Sequence, residues 1–468
     1  MRRRVLGLLA GSVLTSAVAL AGGGAGAVGV ATSASGGGGL APLARLVSHV
    51  SYPTPPTTAD CEQQIGVACY SPQQFQTAYD MAPLYKKGLD GTGQTIVIVD
   101  SFGYPRIKGE LKTFDSSFGL QAPPSFRIIQ PAGKVPPYNT TKNPMMEGWA
   151  LETSLDVEYS HAMAPGANIL LVETPNAETL GVHGFPPIVA AEKYVIQHHL
   201  GNVITQSFAA PEATFASPKD ILKLRGANIA AQKAGVSMLA AAGDAGASAP
   251  KTLDSQGFAA TYFTRPVTSW PATDPLVTAV GGTQLHLDAD GNHTQPDTVW
   301  NDTNLFDSPS AGGGGHSTVF ARPSYQNGVA ATVGSTRGVP DISMSAAVDG
   351  SALVYLDGKT GFGTAGFYLV GGTSEASPEF SGVVAIADQL AGHGLGLLNP
   401  ALYSMLAHHE PGIVDVTAGT NTVTFPQGST THTVRGWDAV KGYDLSSGVG
   451  TIDGAKFVPE LVAAASSS

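Results

Sequence analysis

Three short stretches of this chain carry residues whose types and spacing could do chemistry. The first runs from Gly371 to Ala385, GGTSEASPEFSGVVA. Two glycines lead from an apolar run, FYLV, into Thr373 and Ser374, and a helix of small apolar residues should follow. A serine at the start of a buried helix sits among unpaired backbone N–H groups at the positive end of the dipole. It can act as a nucleophile if a base takes its proton. The same position suits an ordinary N-cap serine, so this string needs partners.

The second stretch is WALETSLDVEYSHAMAPGA, Trp149 to Ala167. Glu152 and Asp156 are four apart, which puts both carboxyls on one helix face. Like charges so placed repel, and a purely structural helix gains nothing from them. If the two share a proton, one pKa rises and the pair can run base chemistry in acid. Leu151, Leu155 and Val157 predict a buried helix, which argues against a solvated acidic face. The third stretch is MLAAAGDAGAS, Met238 to Ser248, with Asp244 in a Gly-Asp-Ala-Gly turn after a buried strand. Open α/β sheets place ligands at the carboxyl ends of their strands. A carboxylic acid held protonated there can donate to a developing oxyanion. An aspartate bonding its own turn is the structural alternative.

These residues need a scaffold. Apolar strands are predicted at Gln94–Asp100, Asn168–Val172, Val203–Gln206, Val236–Ala241, Val277–Val280 and Leu353–Tyr355. Helical patterns fall at Pro72–Leu89, Glu147–His161, Pro187–His199, Pro218–Gly235 and Ser374–Ala391. Apolar runs bounded by turns suit strands buried on both faces. Their alternation with helices predicts an α/β fold, a mostly parallel central sheet with helices on both faces. Residues 59–468 are expected to form one domain. Residues 34–58, rich in Gly, Ser, Thr and Pro, read as a flexible linker or short prosegment.

Composition narrows the class. Of 468 residues, 43% are hydrophobic and 13% charged, which excludes a disordered chain. The 58 glycines follow no Gly-X-Y period, which excludes collagen. A net charge of -11 opposes a nucleic-acid partner. Arg2, Arg3 and Arg4 precede an apolar run from Val5 to about Ala21 and then small residues. This reads as a cleavable secretion signal over residues 1–33, with some likeness to a twin-arginine signal. The expectation is a secreted, extracellular protein with no membrane contact once the signal is removed. Cys61 and Cys69 are the two cysteines, and in an exported chain such a pair predicts one disulfide. A monomer is the default.

GTSEASP, AAAGDAG, PATDPLVTAVGGT (Pro271–Thr283) and IVIVDSFG (Ile96–Gly103) resemble strings of the subtilase superfamily. A subtilisin-like Ser-His-Asp enzyme would use Asp100 and a histidine in an HGTH-like segment. His183 and His393 precede glycines without continuing that motif, and His161 lies in YSHAMAP. The chain resembles the sedolisin family of serine-carboxyl peptidases better. That family's ExxxD before APGA matches Glu152, Asp156 and Ala164–Ala167, its GDxG matches Asp244, and its GTSxxxP matches Ser374. VITQSFAAPE, GGGGHSTVFARPSYQ and RGVPDISMSAA add to a resemblance covering about Tyr70 to Val462.

The resemblance implies a subtilisin-like three-layer fold and an endopeptidase acting in acid on protein or peptide substrates. It implies Ser374 as nucleophile, Glu152 as general base and Asp156 as its orienting partner. It makes Asp244 the oxyanion donor, with the Ser374 N–H beside it, and Asp100 a supporting acid. It also implies one structural Ca²⁺ held by Asp415 and Asp438 and by the carbonyls of Val416, Val434 and Gly436. Val434 stands where the family has glycine. A Ser-His-Asp peptidase and a binding protein on a peptidase fold remain as alternatives, and tripeptidyl-peptidase action as a variant.

Overall fold

The computed structural model describes residue 40 and residues 44–467. The signal-like segment 1–33 lies outside the described residues. An eight-stranded sheet forms the centre. Its order is Thr298–Val299, Thr278–Gln284, Ser237–Ala241, Val203–Gln206, Thr95–Ser101, Asn168–Thr174 and Phe126–Ile129, with Ile342–Ser345 also pairing to Thr278–Gln284. Every pairing is parallel except that of the short Thr298–Val299 strand.

Successive side chains of a strand face opposite sides, and the central strand shows it. Ile96 and Ile98 enter one core, with Leu155, Val157 and Val384. Val97 and Val99 enter the other, with Ile188, Val195 and Ala227. The helices Met145–Met163 and Thr373–Ala391 therefore cover one face, and Phe185–Gln197 and Gly226–Ala234 the other. Each fully buried aliphatic side chain contributes roughly 1.5–3 kcal/mol over exposure. This bilateral burial makes the sheet a rigid platform for whatever stands at its strand ends.

A smaller sheet orders Arg45–Leu46, Gly366–Gly371, Ser351–Leu356 and Cys69–Tyr70. Its first strand belongs to the segment 34–58, read from sequence as a linker or short prosegment. Arg45 pairs antiparallel with Gly371 and Leu46 with Val370. Tyr52 continues the run by exchanging backbone hydrogen bonds with Phe367. The Cys61–Cys69 disulfide follows, as the cysteine spacing predicts.

Two expected helices are broken. Pro72–Leu89 is a helix over Pro72–Ala78 and a second over Ala82–Tyr85, because Asp80 turns left-handed at φ 49° and Pro83 opens the next turn. Pro218–Gly235 divides at Arg225, whose guanidinium is drawn into a bidentate bond with buried Asp274. Helices at Ile107–Phe118, Asn399–His408 and Gly454–Ala465 were not expected from sequence. Among the described residues no helix is long and apolar enough to cross a membrane.

Candidate active site

The Gly366–Gly371 strand leads to Gly372, whose φ of 123° is closed to L side chains. The helix begins at Thr373, so Ser374 lies in its first turn, where backbone N–H groups have no intrahelical acceptor. Pro378 has no N–H to offer the Ser374 carbonyl one turn back. The Ser207 hydroxyl approaches that carbonyl at 3.5 Å instead. The Ser374 hydroxyl is 3.5 Å from the Ser207 carbonyl in turn.

Glu152 and Asp156 project from the Met145–Met163 helix, which packs against the Ser374 helix. Both carboxyls are fully buried. Oε2 of Glu152 accepts the Ala44 N–H at 2.8 Å. Burial raises the Glu152 pKa well above the usual carboxylate range, while its interaction with the Ser374 hydroxyl pulls it back. No formed hydrogen bond reaches Oε1, and catalytic hydrogen bonds often form fully only once substrate is bound. Asp156 Oδ1 accepts from the Ser207 hydroxyl at 2.8 Å. Burial, then the charges of Asp100 and Glu152, push Asp156 well up.

Asp100, next to last in the central strand Thr95–Ser101, is buried with this pair. Burial pushes its pKa up to about 7, the nearby Thr153 and Asp156 side chains oppose the rise and the Glu173 charge adds to it, while no formed hydrogen bond reaches either Asp100 oxygen. The three acids lie buried together, and the charges of Asp100 and Glu152 raise their neighbours' pKa values, so the group titrates together.

Asp244 follows the Ser237–Ala241 strand in a turn that Gly243 (φ 111°) and Gly246 (φ 60°) make feasible. Its Oδ1 accepts from the Thr373 N–H at 2.8 Å and the Thr373 hydroxyl at 2.7 Å. Oδ2 has no partner. Burial pushes the Asp244 pKa up to about 6, against the nearby Arg45 cation and the two Thr373 bonds. A carboxyl fixed on one oxygen and protonated on the other is built to donate.

The structure therefore gathers Ser374, Glu152, Asp156 and Asp244 from distant stretches of sequence around one point. His161 takes no part: its Nε2 faces the Gln121 carbonyl at 2.8 Å and Asp115 at 3.3 Å. Sequence reasoning missed Ser207 and Thr373 as the groups that hold Asp156 and Asp244. Ser207 follows the Val203–Gln206 strand, and a strand's carboxyl end was the available signal.

The expected calcium ligands lie near the C-terminus. Asp415 Oδ2 accepts from Gly442 N at 2.9 Å, Thr420 bridges to Asp438, and Val416 packs with Ala439. The Asp415 and Asp438 loops thus run side by side with both carboxylates exposed. Val434 sits in the Thr430–Val434 strand in register with Val423, and its side chain packs with Ala247, Ala311 and Phe425. Two carboxylates and loop carbonyls suit a hard cation, while the ladder claims Val434. Among the described residues no group of three or more His, Cys, Asp and Glu is placed to hold a metal.

Kumamolisin of Bacillus sp. (strain MN-32) is 30% identical over 414 residues, 86% of this chain and 66% of that protein. Sedolisin of Pseudomonas sp. (strain 101) is 36% identical over 191 residues, 40% of this chain and 29% of that one. Xanthomonalisin of Xanthomonas sp. (strain T-22) is 27% identical over 437 residues, covering 86% and 48% respectively. The chain spans two thirds or less of the length of these relatives. No family model matches it. The structure of Pseudomonas sedolisin, a serine-carboxyl proteinase complexed with two molecules of pseudo-iodotyrostatin, aligns at a TM-score of 0.68 and 25% identity. That alignment covers 85% of this chain and 99% of the other, which bears out the subtilisin-like α/β fold. On this fold match and the kumamolisin relationship, the chain belongs to the sedolisin family of serine-carboxyl peptidases.

Proposed function

We propose that this chain is a secreted, acid-acting serine-carboxyl endopeptidase. The observation that carries the reading is the pairing of Ser374 with a buried acid cluster on one side and Asp244 on the other. Ser374 attacks the scissile carbonyl, and Glu152 takes its proton and returns it to the leaving amine. Asp156 holds Glu152 and shares its charge. Protonated Asp244 and the Ser374 N–H receive the tetrahedral oxyanion. The oxyanion donor must stay neutral, which restricts the enzyme to acid.

Endopeptidase action is favoured over tripeptidyl release. Leu40, four residues ahead of Ala44, donates its N–H to the Glu178 carbonyl at 2.7 Å and accepts from Trp149 Nε1 at 3.3 Å. With the Ala44 N–H on Glu152 Oε2, Leu40 is held on the other side of that acid by contacts of its own, which suits a cleft that binds more than three residues there.

The test is hydrolysis of an acid-denatured protein from acid to alkaline pH, wild type beside Ser374→Ala. Activity confined to acid and lost in the variant is expected. A neutral or alkaline optimum would sink the carboxylate-base mechanism, and turnover by Ser374→Ala would sink the nucleophile.

Calcium, where bound, would brace the C-terminal loops through Asp415 and Asp438 with the Val416 and Gly436 carbonyls. Thermal melting with and without a chelator tests this: a fall in Tm that Asp438→Ala abolishes is expected. We take the working form to be a monomer, checked by sedimentation.

A further inference from the structure

An oxyanion donor is useful only where the oxyanion forms, and the turn that carries Asp244 restrains it weakly. Gly243 (φ 111°) and Gly246 (φ 60°) flank the residue, and glycine resists backbone movement least of all residues. Thr373 fixes one oxygen of the carboxyl. The backbone of the turn is fixed by two segments remote in sequence.

The first is Ala311–Gly313. Ala311 N donates to the Asp244 carbonyl at 3.2 Å, Gly246 N to the Ala311 carbonyl at 2.8 Å, and Gly313 N to the Gly243 carbonyl at 2.6 Å. The approach leaves no room for a side chain: a Cβ on Gly313 would lie 2.3 Å from the Ala242 carbonyl oxygen. Gly313 has no left-handed φ, so closeness alone calls for glycine there. The second segment is Thr420–Thr422. The carbonyl of fully buried Asn421 accepts Ala247 N at 2.9 Å, on the far side of the turn.

Asn301 joins the two segments. Its backbone bridges Ala311 in antiparallel fashion, with Gly312 N on the Trp300 carbonyl at 3.1 Å and Asp302 N on the Ser310 carbonyl at 2.8 Å. Its Nδ2 donates to the Thr420 carbonyl at 2.8 Å and the Thr422 carbonyl at 2.7 Å, one on each side of Asn421. Its Oδ1 accepts Thr303 N at 3.3 Å. Both N–H donors and the oxygen of the amide are thereby used, and two facing carbonyls fix which end is nitrogen. Resting on the peptidase reading above, we propose that Asn301 is a positioning residue for the reaction: it locks Ala311–Gly313 to Thr420–Thr422 and so holds the turn that carries the Asp244 carboxyl. None of these bonds reaches a reacting atom, so the effect of Asn301 on rate passes through Asp244.

A double-mutant cycle in the full chain tests this, with kcat and KM measured in acid on a quenched fluorescent peptide built around a casein bond that wild type cuts. Asn301→Ala should lower kcat by roughly 10-fold to 10²-fold and leave KM within about twofold, because a displacement near 1 Å suffices for such a loss. In the Asp244→Ala background the same substitution should change kcat by less than about twofold, since the donor it positions is already gone. Asn301→Asp keeps the size of the side chain and the oxygen toward Thr303. Protonated in acid, it offers one donor in place of two, so its kcat should fall between wild type and Asn301→Ala. It also carries the cycle if the alanine variant does not fold. An undiminished cost in the Asp244→Ala background, a loss confined to KM or Tm, or an unchanged kcat overturns the proposal and leaves the peptidase reading standing. So does failure of both variants to fold, because Asn301 would then hold the whole fold rather than one turn. No hydrolysis of denatured casein by wild type at any pH overturns both.

Discussion

Thr373 grips Asp244 through its N–H and its hydroxyl, both on the same carboxyl oxygen, at 2.8 and 2.7 Å. The other oxygen is left free for a proton, and burial supplies one by lifting the pKa to about 6. Below that pH Asp244 is a neutral donor. Above it the carboxylate faces a developing oxyanion and repels it. The expectation is a kcat that falls as pH rises past about 6. Asp244→Ala should cost roughly 10²–10³ in kcat at the optimum. Asp244→Asn, whose amide donates at every pH, should keep measurable kcat at neutral pH; an unmoved alkaline limb would count against this role.

Asp100 touches no substrate atom in this arrangement and acts through Asp156. Its charge helps to raise the Asp156 pKa, and burial lifts its own to about 7. Asp100→Asn keeps the shape and removes one ionisable partner, so the acid limb of kcat should shift while KM stays near wild type. Glu152→Gln, which removes the base itself, should instead lower kcat by roughly 10²–10⁴ across the profile. A change in KM alone for Asp100→Asn would make its role structural.

The chemistry was legible where a short string carries it whole. Glu152 and Asp156 share one helix, and Ser374 follows a glycine turn, so spacing placed each on its element. The central strands were legible because double burial makes them continuous apolar runs. What escaped was long-range. Thr373 reads as a spacer before Ser374 until the fold brings Asp244 to it, 129 residues away in sequence. Arg45 and Leu46 lie in a Gly- and Pro-rich stretch, and only the exposed edge of Gly366–Gly371 makes them a strand. Asp80 broke an apparently continuous helix by adopting a left-handed φ that helical spacing cannot reveal.

Arg337 and Asp341, from the RGVPDISMSAA stretch, test the platform rather than the chemistry. Both are fully buried and paired through two bonds, Nη1–Oδ1 at 2.7 Å and Nη2–Oδ2 at 2.5 Å. Asp341 also accepts from Ala279 N and the Tyr403 hydroxyl, tying the sheet to the helix Asn399–His408. Asp341→Ala strands a guanidinium without its counter-charge, and breaking such a pair costs roughly 3–5 kcal/mol. Urea unfolding in the Ser374→Ala background should show that loss as a lower midpoint. Replacing both residues by apolar ones should restore part of it, because no charge is then left buried.

Stability should share the acid preference of activity. Burial pushes Asp302 up to about 6, Asp100 to about 7, and Glu110, Glu192 and Asp388 to about 8. In the unfolded chain these groups titrate near 4. A folded pKa above the unfolded one means the native state binds more protons. The stability this confers is complete below about pH 4 and is lost as pH rises through about 6 to 8. Opposing groups exist: Asp60, Asp220, Asp288 and Asp357 are held below their usual range, so they favour the fold only above it. They lie at or near the surface, where solvent screens them, and they act only toward strong acid. The Tm of Ser374→Ala, used to prevent self-digestion, should therefore peak near pH 4 and decline steadily toward pH 8. A Tm that climbs toward neutrality would mean the buried carboxyls are ionised and paired in the folded protein, and would remove the basis for a protonated Asp244.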